Sequence, residues 1–391
     1  MARLGDVFPL VRNGASIKQT DGAAGIPITR IETISNREID RNKFGYADII
    51  DDSKYKDYIL QDGDILMSHI NSEKHLGKVA LYRKQGDEQI VHGMNLLMLR
   101  ANSSVLFPPF ATYFFETSAF LMQIKKITKK SVNQASFTVT SLKEIEIPLP
   151  PLDEQRKIAA VLDKVSNLIA KRRQQLDKLD EMVKSRFIEM FGEPIVNSMH
   201  WPEELIGNSC FVTKLAGFEY TQYIHYEDSG DVVMVKAQNV KNGKLNRKDL
   251  SYISNEVSNS LPRSQLTAGD IVMTYVGANI GDVAVIDYEY KYHLAPNVAK
   301  IRPNSEKYNS IYFMYMLMFL NSYIVGNSAD TAKAALGMER IRKLKIFAPP
   351  VDLQKQFAAF VIQTDKSKAA IQKSLETLET LKKSLMQQYF G

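Results

Sequence analysis

The chain repeats itself once, and this duplication constrains its fold more than any other feature. The stretch from Pro150-Pro151 to Phe191-Gly192 returns as the stretch from Pro349-Pro350 to Phe390-Gly391, without a gap, at an offset of 199 residues. Of the 43 aligned positions, 13 are identical. A single long period indicates a tandem duplication, because solenoid repeats are only about 20–50 residues long. The fold must therefore be a unit that can be built twice.

Weaker matches extend the repeat over the segment that precedes each copy. A Gly-Asp pair followed by apolar residues occurs at Gly63 and again at Gly269. A Leu/Ile-Gly-x-Val-Ala motif follows, starting at Leu76 and at Ile280. Other equivalent pairs are Arg30 with Lys236, Tyr46 with Tyr252, Asn95 with Asn297, and Tyr113-Phe114 with Tyr312-Phe313. The offset drifts because the loops between these anchors differ in length, as expected when one scaffold presents two surfaces.

The repeat divides the chain into four segments. We predict globular domains at 1–149 and 193–348, each followed by a helical segment, at 150–192 and 349–391. Short apolar stretches bounded by turn residues predict strands in both domains. They are Ile26–Ile34, Asp64–Met67, Lys78–Tyr82, Leu96–Arg100 and Glu144–Pro148, then Val232–Val235, Asp270–Thr274, Asp282–Ile286, Val298–Arg302 and Leu344–Phe347. With one aromatic-rich helix each, at about 110–124 and 309–324, the domains belong to the α+β class, with a mixed or mostly antiparallel sheet.

Each helical segment is predicted to form one long helix, over 153–190 and 352–389. Apolar residues recur there at steps of three and four, the heptad pattern of a coiled coil. We predict that the two helices pack antiparallel, because nothing nearby in sequence covers their seams; parallel association between chains is the alternative. The packing residues are Ile158, Leu162, Val165, Ile169, Leu176, Leu179 and Val183, interrupted at Arg172, and Phe357, Val361, Ile371, Leu375, Leu378 and Leu385.

Composition excludes several classes of protein. Hydrophobic residues make up 45% of the chain and charged residues 24%, which is incompatible with wholesale disorder. Cys210 is the only cysteine, which excludes an intramolecular disulfide and a cysteine zinc cluster. Because no apolar run reaches about 18 residues and the N-terminus lacks a signal-peptide core, we predict a cytoplasmic protein without membrane contact. The net charge of +6 permits a nucleic-acid partner without requiring one.

Motifs for catalysis and metal binding are absent from the sequence. It has no P-loop and no Gly-x-Gly-x-x-Gly pattern, and its six histidines lack metal-binding spacing. Phe107-Pro108-Pro109-Phe110 resembles the Asn/Asp-Pro-Pro-aromatic motif of amino-methyltransferases, but Phe107 replaces the polar residue that would hold the target amine. Cys210 lies in an apolar run without the electropositive surroundings of a reactive thiol. These observations single out no catalytic or metal-binding residue, and they make binding the leading class of function.

A duplicated chain with two similar domains is expected to have internal pseudo-two-fold symmetry. Double-stranded DNA has local two-fold symmetry as well, so such a protein would contact two half-sites at a fixed spacing. Because the two domains differ in sequence, their half-sites would differ. A duplicated scaffold that binds only proteins is the alternative, and duplication by itself does not decide between them.

Taken in order, the motifs resemble the specificity (S) subunit of type I restriction-modification enzymes. The resemblance rests on the Gly-Asp-Ile element, the Leu/Ile-Gly-x-Val-Ala motif and the Ile-Pro-Leu-Pro-Pro-Leu-Asp-Glu-Gln junction that ends at Gln155, and it covers essentially the whole chain. The second junction differs by Leu353, where the pattern prefers Glu. Trp201-Pro202, typical of the start of a unit, occurs only in the second copy.

The resemblance implies that each globular domain is a target recognition domain that reads one half of a bipartite, asymmetric double-stranded DNA site. It also implies that the two helices set the spacer and dock two methyltransferase (M) subunits, which methylate adenine N6. Restriction (R) subunits would translocate and cleave the DNA. S-adenosylmethionine, ATP and Mg would then be bound by those partners, and this chain would be non-catalytic. Such a complex serves host defence in a prokaryotic cytoplasm, at the nucleoid.

The candidate DNA contacts implied by this resemblance are polar loops that differ between the copies, because Asn, Lys, His and Ser can bind base edges or phosphates. The loop after the Gly-Asp strand supplies Ser68, His69, Asn71, Ser72, Lys74 and His75, and Thr274, Tyr275 and Asn279 in the second copy. The stretch before the last strand supplies Lys129, Lys130, Ser131, Asn133, Gln134 and Ser136, with Thr331 and Lys333 as counterparts. Arg30 and Lys236 are phosphate or base candidates. A standalone DNA-modification enzyme and a protein-binding coiled-coil scaffold remain the alternatives.

Overall fold

The computed structural model describes residues 1–20, 25–35, 37–47, 52–131, 134–326 and 336–391. Asn133, Thr331 and Lys333 lie outside these described residues. The chain divides into two compact units, of which unit 1 contains residues 1–173 and 373–391 and unit 2 contains residues 174–372. Each unit combines one globular head with parts of both long helical segments, so the units cut across the predicted helical segments.

The head of unit 1 has mixed α and β structure. Its strands are β1 (Ala2–Arg3), β2 (Leu10–Asn13), β3 (Gln19–Thr20), β4 (Ile26–Ile28), β5 (Ile34–Ser35), β6 (Arg37–Ile39), β7 (Gly45–Ala47), β8 (Ile65–Ser68), β9 (Ile70–Asn71), β10 (Val79–Leu81), β11 (Leu96–Arg100), β12 (Lys129–Lys130), β13 (Ala135–Ser136) and β14 (Glu146–Ile147). Its helices are α1 (Leu4–Val7), α2 (Pro108–Phe114), α3 (Ser118–Ile127) and α4 (Val139–Lys143), and the chain leaves the head through α5 (Leu152–Phe191). Short 3-10 helices span Ile31–Thr33, Arg41–Lys43, Asp52–Tyr58 and Glu73–His75.

A six-stranded sheet in the order β2-β11-β8-β10-β6-β5 forms the centre of this head. Only its β10–β6 pair is parallel. The face that carries Ile65, Met67, Leu97 and Leu99 packs on the aromatic helices α2 and α3, in a core that also contains the apolar face of α5. Three small sheets, β1-β14, β12-β13-β9 and β3-β7-β4, complete the head.

The head of unit 2 repeats this plan with two four-stranded sheets. Its strands are β15 (Glu203–Leu205), β16 (Cys210–Lys214), β17 (Val232–Val235), β18 (Val240–Lys241), β19 (Lys244–Leu245), β20 (Tyr252–Ile253), β21 (Gln265–Leu266), β22 (Ile271–Thr274), β23 (Val283–Val285), β24 (Lys291–Leu294), β25 (Val298–Pro303) and β26 (Lys345–Phe347). Its helices are α6 (Ile206–Ser209), α7 (Gly217–Tyr223), α8 (Asn255–Ser260), α9 (Ser310–Phe319), α10 (Asn321–Gly326) and α11 (Met338–Arg342), followed by α12 (Val351–Phe390), with 3-10 helices at Ala237–Asn239 and Pro262–Ser264. The sheets are β16-β25-β22-β23 and β20-β17-β24-β21, and β15-β26 and β18-β19 form separate pairs.

The predicted α+β class is confirmed, while three local predictions need correction. Ile26–Ile34 is not one strand, because β4 ends at Ile28 and a 3-10 helix follows. The aromatic stretch near 110–124 is two helices, because extended Thr117 caps α3 by accepting a hydrogen bond from the Phe120 N–H at 3.1 Å. The equivalent stretch in the second head also divides, into α9 and α10.

The two long helices run antiparallel within each unit, as predicted. In unit 1, Ile158 and Leu162 near the start of α5 share a core with Phe390 at the end of α12, and Arg173 forms a 2.7 Å ion pair with Glu379. In unit 2 the pairing is reciprocal: Phe187 and Phe191 at the end of α5 pack with Phe357 at the start of α12. Each helix has 40 residues, so each is about 60 Å long.

Burial along the predicted seams follows the heptad pattern. The buried members are Ile158, Leu162, Val165, Ile169 and Val183 in α5 and Phe357, Val361 and Leu375 in α12. Leu176, Leu179, Ile371, Leu378 and Leu385 are half-buried. The heptad steps continue through the polar gap of α12, where Thr364 is buried and Lys368 forms a 2.5 Å ion pair with Asp180. A seam that is polar at its middle and apolar at its ends concentrates the hydrophobic contact where each helix meets a head.

Candidate nucleic-acid interface

The Gly-Asp motif anchors the strand that leads to each candidate loop. Asp64 is almost completely buried, and Arg100 binds its carboxylate through Nε at 2.8 Å and Nη2 at 2.7 Å. Asp270 and Arg302 make the same two contacts, at 2.5 and 2.7 Å. In both heads this aspartate also accepts a hydrogen bond from the backbone N–H three residues before it. The motif is therefore structural, and it fixes the start of β8 and β22.

The candidate loops lie at the opposite end of these two strands. The neck of the first loop is closed by two backbone hydrogen bonds, from the Ser68 N–H to the Lys78 carbonyl and from the Gly77 N–H to the Ser68 carbonyl. Thr274 makes the equivalent pair with Asp282 and Gly281. The two glycines have φ angles of 74° and 84°, a left-handed conformation that favours glycine. The frame of the loop is thus the same in both heads, while the length and the side chains of the loop differ.

A small three-stranded sheet joins the two candidate segments of the first head into one surface. Strand β9, in the loop after β8, pairs with β13, and β13 pairs with β12, so that Asn71 lies opposite Ala135 and Ser136 opposite Lys129. The Phe137 N–H adds a hydrogen bond to the His69 carbonyl at 3.3 Å. The sequence placed these segments far apart along the chain, and the structure brings them together.

The candidates of the first head separate by exposure. Those whose side chains are exposed on the joined surface are Ser72, Lys74, Lys129, Lys130, Ser131 and Gln134, while Asn71, His75 and Ser136 are half-buried. Lys130 forms a 2.8 Å ion pair with Glu73, and this contact is the main cause that lowers the pKa of Glu73. Burial and the charges of Lys78 and Lys74 lower the pKa of His75, which favours a neutral imidazole. Lys74 and Lys129 have no anionic partner among the described residues, so both cations are available to phosphate.

Three candidates are not surface groups, which corrects the sequence prediction for them. Ser68, His69 and Thr274 are at most 5% exposed, because each lies at or directly after the end of a buried strand. The His69 ring packs edge-on against Phe137, with 6.2 Å between the centroids, and burial lowers its pKa to about 4. These side chains support the loop from beneath and are not available to a DNA molecule outside it.

Arg30 and Lys236 occupy equivalent positions but are already engaged within the fold. Each lies directly before a 3-10 helix, and its backbone carbonyl accepts a hydrogen bond from the N–H three residues later. The Arg30 Nε donates to Gln19 Oε1 at 2.6 Å. The Lys236 Nζ donates to the Asp249 carbonyl at 2.9 Å and to Ser251 Oγ at 3.0 Å. These contacts make both residues part of the frame, and their assignment as phosphate or base candidates stays a prediction.

The second head repeats the loop architecture with different side chains. The Tyr275 N–H donates to the Asn297 carbonyl at 2.9 Å, and the Tyr275 carbonyl accepts from the Leu336 N–H at 2.8 Å. The Leu336 bond is the counterpart of the one between Phe137 and His69. Tyr275 is half-buried, and Asn279 is exposed. Thr331 and Lys333 fall outside the described residues, as does Asn133 in the first head.

One lysine at the candidate surface of each head was not identified from the sequence. Lys78 is exposed and borders a cleft of about 310 Å³, with Asn71 and His75 on the same cleft. Lys214 is exposed and stands 5.3 Å from the centre of the Tyr275 ring. A signal for Lys78 existed: it occupies the variable position of the repeated Leu/Ile-Gly-x-Val-Ala motif, where the second copy has Asp282. The two loops therefore carry opposite charges at one equivalent point.

Chemistry other than binding depends on a reactive side chain or a bound metal. Burial raises the pKa of Cys210 to about 12, so its thiol stays protonated and is a poor nucleophile. No group of three or more His, Cys, Asp or Glu residues is arranged to hold a metal ion among the residues that the structure describes. No described helix is both long and apolar enough to cross a membrane.

Comparisons with known proteins place these features in a family. Residues 1–181 and 215–380 match the family model described as the type I restriction modification DNA specificity domain. The chain is 32% identical, over 394 aligned positions, to the putative type I restriction enzyme MjaX specificity subunit of Methanocaldococcus jannaschii, covering 98% of this chain and 90% of that protein.

Two solved structures share the fold. The S subunit of the type I restriction-modification system of M. genitalium superposes with a TM-score of 0.61 at 15% identity, covering 100% of this chain and 95% of that one. A chain from a structure of complex assembly and conformational transition in a type I R-M system gives a TM-score of 0.51 at 17% identity, covering 100% and 96%. At such low identity, these superpositions support the architecture of two heads and two long helices.

Proposed function

The chain belongs to the family of type I restriction-modification DNA specificity subunits, and from this premise we propose that its two heads read the two halves of a bipartite, asymmetric DNA site. One observation carries the proposal. Both heads hold a solvent-facing loop on the same frame, made of a buried aspartate paired with an arginine, a glycine-closed neck and a backbone bond to the segment before the last strand. The contents of the loop differ, so the two heads would read different bases.

The charges on the two surfaces support DNA as the ligand. In the first head, exposed Lys74, Lys78 and Lys129 have no anionic partner among the described side chains, and Asn71 lines the cleft that Lys78 borders. Lysines hold phosphates, and side-chain amides can pair with adenine in the major groove. In the second head, Lys214 and Asn279 offer the same two kinds of group.

We assign the long helices to spacing and assembly. In each unit, the start of one long helix and the end of the other pair beside the head. Helix length would therefore determine the spacer between the half-sites. The exposed faces of the helix pair would dock two M subunits, and R subunits would join that complex. S-adenosylmethionine, ATP and Mg would be bound by those partners, and this chain would supply recognition without catalysis, at the DNA in a prokaryotic cytoplasm.

The test is methylation mapping with the purified subunit and its M partners. A library of bipartite sites with randomised bases is methylated and sequenced, and the expected product is one motif of two specific halves separated by a nonspecific spacer. Replacing residues 1–149 by another recognition domain should change one half only. A continuous motif, methylation without sequence preference, or a swap that alters both halves would contradict the proposal.

The two alternatives predict different results in the same experiment. A standalone modification enzyme would transfer a labelled methyl group to DNA without any M subunit. A protein-binding scaffold would retain no DNA at low salt, where phosphate contacts are strongest. Family membership favours neither result. Omitting the M subunits tests the first alternative, and DNA binding at low salt tests the second.

A further inference from the structure

Helix α7 is an element of the second head without a described counterpart in the first head. It spans Gly217–Tyr223, between β16 and β17. The corresponding part of the first head, between β2 and β4, contains the short strand β3 and no helix among its described residues. Because the described residues of the first head contain no counterpart, α7 is a candidate for a feature that distinguishes what the two heads bind.

The exposed face of α7 combines an aromatic ring with an amide. Phe218 is 67% exposed, which is unusual for a phenyl ring on a soluble head, and Gln222 lies one turn later on the same face. The amide of Gln222 has no hydrogen-bond partner among the described residues. Thr221 is also exposed, and its hydroxyl donates back to the Gly217 and Phe218 carbonyls, so its methyl group remains for an external contact.

The helix is held firmly from its other side. The Glu219 carboxylate accepts from the Ala216 N–H at 2.8 Å and from Arg263 Nη2 at 3.0 and 3.1 Å. Buried Lys300 donates to the Arg263 carbonyl at 2.6 Å, which fixes the arginine from below. Ile224 is buried in the core that underlies the helix. The exposure of Phe218 therefore follows from an anchored geometry, which is what a binding surface requires.

Positive groups of the candidate interface flank α7 on both sides. Lys214 lies three residues before the helix and stands over Tyr275, the first residue of the second candidate loop. Lys236 lies 5.9 Å from the ring of Tyr226, three residues after the helix. Phe218 and Gln222 thus lie on a helix that begins three residues after Lys214, a lysine of the surface that we assign to the second half-site.

We propose that α7 is a recognition helix of the second head, and this inference rests on the proposed function. Its seven residues rise about 10 Å and a helix with side chains is about 10–12 Å wide, which fits a major groove about 12 Å across. Gln222 reads an adenine through its N6 and N7 atoms, the pairing that this amide favours. Phe218 and the methyl group of Thr221 contact a thymine methyl, the apolar feature of that groove.

The test uses the complete complex of this subunit with its M subunits on DNA in which each position of the mapped site is varied in turn. In Gln222→Ala the preference for adenine at one position of the second half-site should fall about ten-fold or more, the discrimination that a bidentate contact provides. Phe218→Ala should weaken the preference for thymine at a second position, and Phe218→Leu should restore part of it. The first half-site should be read as in the wild type.

Matched controls lie at the other end of each head. Tyr288 is 94% exposed and lies two residues after Ile286, whose carbonyl accepts from the Gly269 N–H at the anchored end of β22. Gln85 lies at the equivalent end of the first head, and both Tyr288→Ala and Gln85→Ala should leave the site unchanged. Wild-type preferences at every position in both α7 variants would overturn the inference while the proposed function stands. A wild-type complex without a bipartite motif would overturn both.

Discussion

Gln155 and Gln354 make the same three hydrogen bonds in the two units of the chain. Gln155 accepts from the Phe107 N–H at 2.9 Å and donates to the carbonyls of Val105 and Pro150 at 2.9 and 2.8 Å. Gln354 accepts from the Asn309 N–H at 2.8 Å and donates to the carbonyls of Lys307 and Pro349 at 2.9 and 2.8 Å. Both side chains are fully buried. Each glutamine therefore joins the first turn of a long helix to the loop that precedes the aromatic helix of its head.

Replacing Gln155 by Ala should loosen the first head from its helix. The Phe107 N–H and two carbonyls would be left without partners inside the protein, and each unsatisfied group costs about 1–3 kcal/mol. We expect a loss of stability of roughly 2–4 kcal/mol in total, since the groups relax in part. Urea unfolding measures it, with exposed Gln388→Ala as the control within α12. A urea midpoint equal to that of the control would show that this junction does not contribute to the stability of the protein.

The repeated anchor residues could be recognised in the sequence, because a left-handed backbone position restricts which residues fit there. Gly63 and Gly269 have φ angles of 89° and 90°, and Asn95 and Asn297 have 76° and 69°. Left-handed positions favour glycine and asparagine, so a duplicated fold preserves these anchors while its other residues diverge. The heptad seams were predictable for a related reason, since helical burial has a fixed period.

Other features depend on contacts that no local pattern contains. Ser68 and His69 look like loop residues in the sequence, but their burial depends on how far β8 extends beneath the sheet formed with Ala135 and Ser136. The engagement of Arg30 with Gln19 is also a tertiary contact. The exposed set Lys74, Lys129 and Gln134 was predictable as polar loops, whereas their assembly into one surface needed the β9–β13 pairing.

Breaking the pair between buried Asp64 and Arg100 should release the strand that holds the first candidate loop. Asp64→Asn removes the charge that Arg100 binds through two contacts, while the arginine stays 26% exposed and can regain water. We expect a cost of about 2–3 kcal/mol, below the ~3–5 kcal/mol of fully buried pairs. Hydrogen exchange of the β8 amides should accelerate in this variant and stay at the wild-type rate in β22. Asp270→Asn is the matched variant and should reverse that pattern.

Acid should destabilise the first head through two buried histidines. Burial lowers the pKa of both His69 and His92 to about 4, against about 6.5 in an unfolded chain. Between these values the unfolded state binds more protons, so the free energy of unfolding should fall as the pH decreases from about 6.5 towards 4. The second head has Leu294 at the position that corresponds to His92, so His92→Leu should reduce this slope. Urea unfolding at pH 7 and pH 5 measures it, with exposed His225→Ala as the control; an unchanged slope in His92→Leu would count against this cause.

Free lysines on the joined surface of the first head should contribute to the salt dependence of DNA binding. Each phosphate contact releases a counterion, so Lys74→Ala and Lys129→Ala should each reduce the slope of log K against log salt by about 1. We expect uniform weakening across sequences, because phosphate contacts carry no base information. Binding of the complete complex to its mapped site is measured by fluorescence anisotropy over a series of salt concentrations. Exposed Lys84 lies at the anchored end of the same head, where its N–H donates to Asp62, and Lys84→Ala should leave the slope unchanged. If Lys84→Ala lowered the slope as much as Lys74→Ala, the joined surface would not be the DNA-binding face.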